Sequence, residues 1–156
     1  MVCFALMAPP AALWLSARPR LPATSPLKAA RALPIAAVVS TGGLPDLAYE
    51  SARGEEGCGA AVIACLVGFT QPGRADVYAD TSPAELGVGR DREVVINGED
   101  EGISPPRNGA AYVARMAANG ADIRQVVLND TGHVELIAPR TAAWTRTVEA
   151  IEQLVR

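Results

Sequence analysis

The chain has 156 residues, 49% of them hydrophobic and 20% charged, which suffices for one domain with its own core. A net charge of -3, a sequence pI near 5.2 and only 4% aromatic residues exclude the basic, ring-bearing surfaces that bind nucleic acid. Three cysteines, Cys3, Cys58 and Cys65, fit neither a disulfide framework nor zinc-ligand spacing. Cys58 and Cys65 lie in or beside an apolar run and are expected to be small core residues. Nothing in the composition calls for a metal or a cofactor.

Val2 to Leu15 is nearly all apolar but is interrupted by Pro9 and Pro10, and it is too short to span a bilayer. It lacks the basic segment that opens a secretory signal, so a cytoplasmic protein with no membrane partner is expected. Within it, Val2 to Leu6 suits a short buried strand, and Ala11 to Arg18 a short helix ended by Pro19. Arg20 to Arg31 carries three prolines and reads as loop. Pro34 to Ser40 is a continuous apolar run, as in a strand covered on both faces, and it runs into Thr41-Gly42-Gly43.

Ser51 to Gly59 is polar. Ala60 to Val67 is apolar throughout and reads as a buried helical segment, with a strand as the alternative. Thr70 to Asp80 is a loop, and Ser82-Pro83 starts a short helix. Glu93 to Asn97 is the next strand. It leads into the acidic turn Gly98 to Pro106 and then a helix over Asn108 to Asn119, stopped by Gly120. Ile123 to Leu128 is a further strand, and Thr141 to Val155 an amphipathic helix with Trp144, Val148, Ile151 and Val155 on one stripe.

Strand, loop, helix, strand, loop, helix is the pattern of a parallel sheet covered by helices, here with three to four strands. Right-handed crossovers bring the carboxyl ends of such strands to one edge, where ligands bind. His133, the only histidine, follows one strand, and the carboxylates Glu99, Asp100 and Glu101 follow the strand before it. Glu101 and His133 lie 32 residues apart, about the length of one helix, one strand and two short loops. If the strands are neighbours, a carboxylate and an imidazole meet, which is the base half of a nucleophile–base–acid triad. The alternatives are solvated turn carboxylates and a structural loop histidine.

Gly98 to Pro105, Gly132 to Glu135, Gly43 to Leu47, Tyr78 to Leu86 and Ala143-Trp144, taken together, resemble segments of α/β-hydrolases of the esterase and kynurenine formamidase-like kind. Gly98-Glu99-Asp100-Glu101-Gly102-Ile103-Ser104-Pro105 is similar to their acid-bearing Gly-x-x-Asp-x-x-Val-Pro turn, and Gly132-His133-Val134-Glu135 to their Gly-His-Phe-Glu histidine loop. Gly43 to Leu47, Tyr78 to Leu86 and Ala143-Trp144 match further segments in the same order. The resemblance implies a partial α/β-hydrolase domain over residues 1–156, with a possible cap or insert at 46–80. It implies His133 as base and Glu101 as acid, in place of the usual Asp, with Asp100 as the alternative.

The same alignment sets Phe4-Ala5-Leu6-Met7-Ala8 where the family carries its Gly-x-Ser-x-Gly nucleophile turn, so residues 1–10 form a degenerate elbow with leucine at the serine position. Losing that nucleophile alone costs on the order of a million-fold in turnover. The resemblance therefore implies a carboxylic ester or amide hydrolase scaffold that is inactive alone: a truncated product, a pseudoenzyme or one piece of a split protein. The competing readings are a hydrolase using Ser40 and a non-catalytic binding module. A small ester or amide is the expected partner of an active form, and self-association through an exposed sheet edge is expected as well.

Overall fold

The computed structural model describes residues 2–6, 11–28, 30–31, 35–54 and 57–155. Four parallel strands form one sheet in the order β1 (Val2–Leu6), β2 (Ala37–Thr41), β3 (Arg92–Gly98), β4 (Ile123–Leu128). The helices are α1 (Ala11–Ala17), α2 (Leu47–Ala52), α3 (Ala60–Val67), α4 (Pro106–Ala118) and α5 (Ala142–Val155). Single 3-10 turns occupy Arg18–Arg20 and Pro83–Glu85, each with a proline near its start.

β2 is buried at every residue and β3 at every residue but Arg92, because helices cover both faces of the sheet. On one face Ala37, Val39, Val94 and Ile96 pack with Leu136 and with Ala143, Ala150 and Leu154 of α5. On the other, Val38 and Val95 pack with Ala12 and Leu13 of α1 and with Tyr112 and Met116 of α4. Each fully buried valine or isoleucine contributes about 1.5–3 kcal/mol of transfer free energy. Such alternation fixes the register, since a one-residue slip would exchange the two cores. Strand ends thereby align: Leu6 pairs with Thr41, Thr41 with Ile96, and Gly98 with Leu128, all at the carboxyl edge.

Between β2 and β3 lies a smaller layer. Asp46 caps α2 by accepting the Tyr49 N–H at 3.0 Å, and Leu44 and Leu47 pack against Ile63 and Val67 of α3. Arg74 gathers the chain that follows α3. Its guanidinium donates to the carbonyls of Val67, Phe69 and Val77 and pairs with Asp80 at 2.7 Å. Asp80 also accepts from the Ser25 hydroxyl at 2.9 Å, and its carbonyl accepts the Trp14 indole N–H, which ties this layer to the segment after α1.

Residues 47–52 form a helix that no expectation covered. Two expectations are corrected. α3 is a helix, but only Ile63 and Val67 are buried; Val62, Leu66 and Phe69 are exposed, and so is Cys65, while Cys58 is half-buried. An all-apolar run carries no period from which to read its buried face. In α5 the buried stripe is Ala143, Thr147, Ala150 and Leu154, with Trp144, Val148 and Ile151 only partly covered. Small residues let the helix axis approach the sheet, so the larger apolar side chains flank the contact. Among the described residues no helix is long and apolar enough to cross a membrane.

Candidate functional site

β3 and β4 are neighbours, so the acidic turn and the histidine loop leave the sheet side by side. Backbone bonds stitch the two loops together: Glu99 N–H donates to Leu128 O at 2.9 Å, and Asp100 N–H to Thr131 O at 3.0 Å. Asp130 takes a left-handed conformation (φ 49), which short polar side chains tolerate, and this turns the chain towards His133. Beyond it Leu136, fully buried in the α5 core, pins the loop, and Thr141 caps α5 by accepting the Trp144 N–H at 3.0 Å.

In this frame the imidazole Nδ1 of His133 is hydrogen-bonded to Oε1 of Glu101. The Glu101 side chain is fully buried, whereas that of His133 keeps 17% of its surface exposed. The second carboxylate oxygen, Oε2, is buried without a hydrogen-bond partner among the described residues. The Ser104 N–H donates to Oε1 at 3.2 Å. A carboxylate on Nδ1 favours the tautomer that carries its proton there and leaves Nε2 with a free lone pair. Among the described residues no group is hydrogen-bonded to Nε2.

The pair is roofed by the turn after β2. Gly42 has φ +57, and a Cβ there would lie 3.0 Å from both Cε1 and Nδ1 of His133 and 3.2 Å from Glu101 Oε1. Only glycine combines that backbone with that proximity. The Gly42 N–H is held by Ile96 O at 2.9 Å, and the Gly43 carbonyl accepts the Ser104 hydroxyl at 2.5 Å.

Of the residues singled out from sequence, the fold brings Glu101 and His133 together. Asp100 is exposed and makes its contact through its backbone N–H. Ser40 is buried near the end of β2, two residues from the roof, and is not hydrogen-bonded to His133. Leu6 ends β1 at the same carboxyl edge, opposite Thr41; residues 7–10, which would complete an elbow, lie outside the described residues. Gly42 and Ser104 are functional candidates that the pattern of types did not reveal, although the Gly42-Gly43 pair directly after a strand was a signal for close backbone approach.

A second buried acid stands beside this site. Glu50 on α2 is 2% exposed, paired with Arg53 at 2.7 Å and hydrogen-bonded to the Asn108 amide. Burial pushes its pKa up, against the pull of Arg53 and Asn108. Burial likewise raises the Cys58 thiol, assisted by the charges of Glu50 and Glu101, so the α2–α3 layer lies within electrostatic reach of the dyad. A third acid, Glu93, sits at the amino end of β3, away from this edge.

No protein-family model matches the chain, and no curated protein matches it. Its fold is similar to solved structures of an esterase from Thermogutta terrifontis. Esterase 2 phosphonylated by sarin superimposes with a TM-score of 0.64 at 14% identity, over 85% of this chain and 49% of that one. The apo form gives 0.60 at 15% identity, over 85% and 47%. The butyrate-bound form gives 0.64 at 12% identity, over 99% and 55%. The chain thus has an α/β-hydrolase-like fold and spans about half the length of these esterase chains.

Proposed function

We propose that this chain carries the acid–base half of a carboxylic ester or amide hydrolase site, with His133 as base and Glu101 as the acid that orients it. The observation that carries the reading is the buried Glu101 carboxylate on Nδ1 of the sole imidazole, under Gly42, at the edge where parallel strands end. Such a pair takes the proton of an attacking hydroxyl on Nε2 and returns it to the leaving alcohol or amine, with the imidazolium stabilised by the carboxylate. Amides of the formamidase kind belong to the same chemistry. The esterase structures that share the fold support the reaction class.

With leucine at position 6, the chain by itself supplies no hydroxyl where the resemblance expects one, so it behaves as a pseudoenzyme. The test is hydrolysis of short-chain p-nitrophenyl esters together with fluorophosphonate labelling. The proposal expects no labelled serine and no turnover above that of a His133→Ala variant. Turnover abolished by both His133→Ala and Ser40→Ala would overturn it in favour of Ser40 as nucleophile. β1 lies at an edge of the sheet, and pairing of that edge with a second copy is the form of association we propose; sedimentation showing only monomer would remove that part.

A further inference from the structure

Ser104 is fully buried and spends all three of its polar groups on different parts of the site. Its N–H donates to Glu101 Oε1, the same oxygen that meets His133. Its hydroxyl donates to Gly43 O at 2.5 Å, across 61 residues of sequence, on the turn whose Gly42 lies against the imidazole. Its carbonyl accepts from the Asn97 amide at 3.0 Å. Asn97 is itself fully buried at the end of β3 and accepts from Gln125 of β4 at 2.9 Å, while Gln125 also donates to Pro106 O at 2.7 Å. These bonds tie the exits of β2 and β3, the middle of β4 and, through Glu101, the histidine loop to one residue.

We propose that Ser104 is a positioning residue for the Glu101–His133 pair, its hydroxyl locking the Gly42–Gly43 roof to the acid turn so that the two move as one body. The inference rests on the reading of that pair as an acid–base dyad. Its physical content is directional. Gly43 is buried, so its carbonyl has no water to turn to when the hydroxyl is removed. The roof then relaxes away from the turn, and the N–H of Ser104 loses one of the two anchors that aim it at Oε1. Linked buried hydrogen bonds hold geometry better than the separate bonds would.

The test uses the single histidine, whose imidazole signals need no assignment among rivals. In the unsubstituted protein the Nδ1–H proton is expected as a downfield, slowly exchanging resonance that moves in Glu101→Gln. Ser104→Ala should speed exchange of that proton by about tenfold, the equivalent of one lost hydrogen bond. Tyr112→Phe, which deletes a buried hydrogen bond at the other end of the sheet, should leave the resonance unchanged despite a comparable loss of stability. If Ser104→Ala does not fold, Ser104→Cys keeps a weaker donor at the same place and should give an intermediate rate. Unchanged exchange in the serine variants, or an equal change in Tyr112→Phe, overturns the positioning role while leaving the dyad intact. Absence of any Glu101-dependent Nδ1–H signal in the unsubstituted protein overturns the dyad, and the role of Ser104 with it.

Discussion

Glu93→Gln should make the protein more stable at alkaline pH. Glu93 is 6% exposed on β3, accepts the Tyr112 hydroxyl at 3.1 Å and is within hydrogen-bonding reach of Asp91. Asp91 is also buried; its Oδ1 is 3.6 Å from Arg20, while its Oδ2 has no partner among the described residues. Burial first, then the Asp91 charge, raise Glu93 from 4.5 to about 7. A neutral Glu93 removes the repulsion between the two buried carboxylates and can donate its proton to Asp91. The sign follows from the unfolded chain, where the same carboxyl ionises near 4.5. Below that pH both states hold the proton and nothing is lost. Between there and about 7 only the unfolded state releases it, so stability falls as pH rises and levels off above. The loss amounts to about 3 kcal/mol once both states are ionised. Glutamine keeps an acceptor for Tyr112, gives Asp91 an N–H donor and has no proton to lose. Urea denaturation of both proteins across this range is the assay. The difference should be near zero in acid and grow to about 3 kcal/mol above neutrality. Stability curves that stay parallel with pH would refute the buried-acid argument, because Glu50 and every other titrating group are common to both proteins.

Gly42→Ala sets a methyl 3.0 Å from the imidazole at φ +57, so His133 should be pushed off Glu101, with about 1–2 kcal/mol of backbone strain added; loss of the Nδ1–H resonance and a lower melt check this. Gly109→Ala tests packing against propensity. Alanine favours the helix by about 1 kcal/mol, but its Cβ would lie 2.3 Å from Asn97 Oδ1 and 2.7 Å from Gln125 Nε2, so we expect net destabilisation of about 1–2 kcal/mol in denaturant melts. Arg74→Ala strips donors from three carbonyls and the partner from buried Asp80. It should cost about 2–4 kcal/mol and open residues 68–79 to proteolysis. It should also blunt acid sensitivity: burial works against the Asp80 charge, but Arg74 and Ser25 outweigh it and hold its pKa down, so that stability is present above the ordinary carboxylate range and lost as pH falls below it.

The layered fold was legible because strands buried on both faces carry continuous apolar runs and the loops between them carry glycine and proline. β3, α4, β4 and α5 lie within a residue or two of the expected positions. The meeting of Glu101 with His133 was legible for a topological reason, since neighbouring parallel strands must end at one edge. The short α2 was not, because its six residues are signalled mainly by the cap at Asp46. The exposure of α3 and the true stripe of α5 depend on what packs above them, which hydrophobicity alone does not encode. Least visible were the buried polar contacts. Asn108 and Glu50 are 58 residues apart, and Ser104 and Gly43 are 61 apart, so no local pattern pairs them. Only the three-dimensional structure places Gly42 and Ser104 against the Glu101–His133 pair.

The most direct test is nitrogen-15 NMR of the one imidazole in the chain. An acid–base dyad requires the proton on Nδ1, bound to Glu101, with Nε2 unprotonated and accepting, and Glu101→Gln must displace the Nδ1–H resonance. An imidazole protonated at Nε2, or one indifferent to Glu101→Gln, would contradict the account.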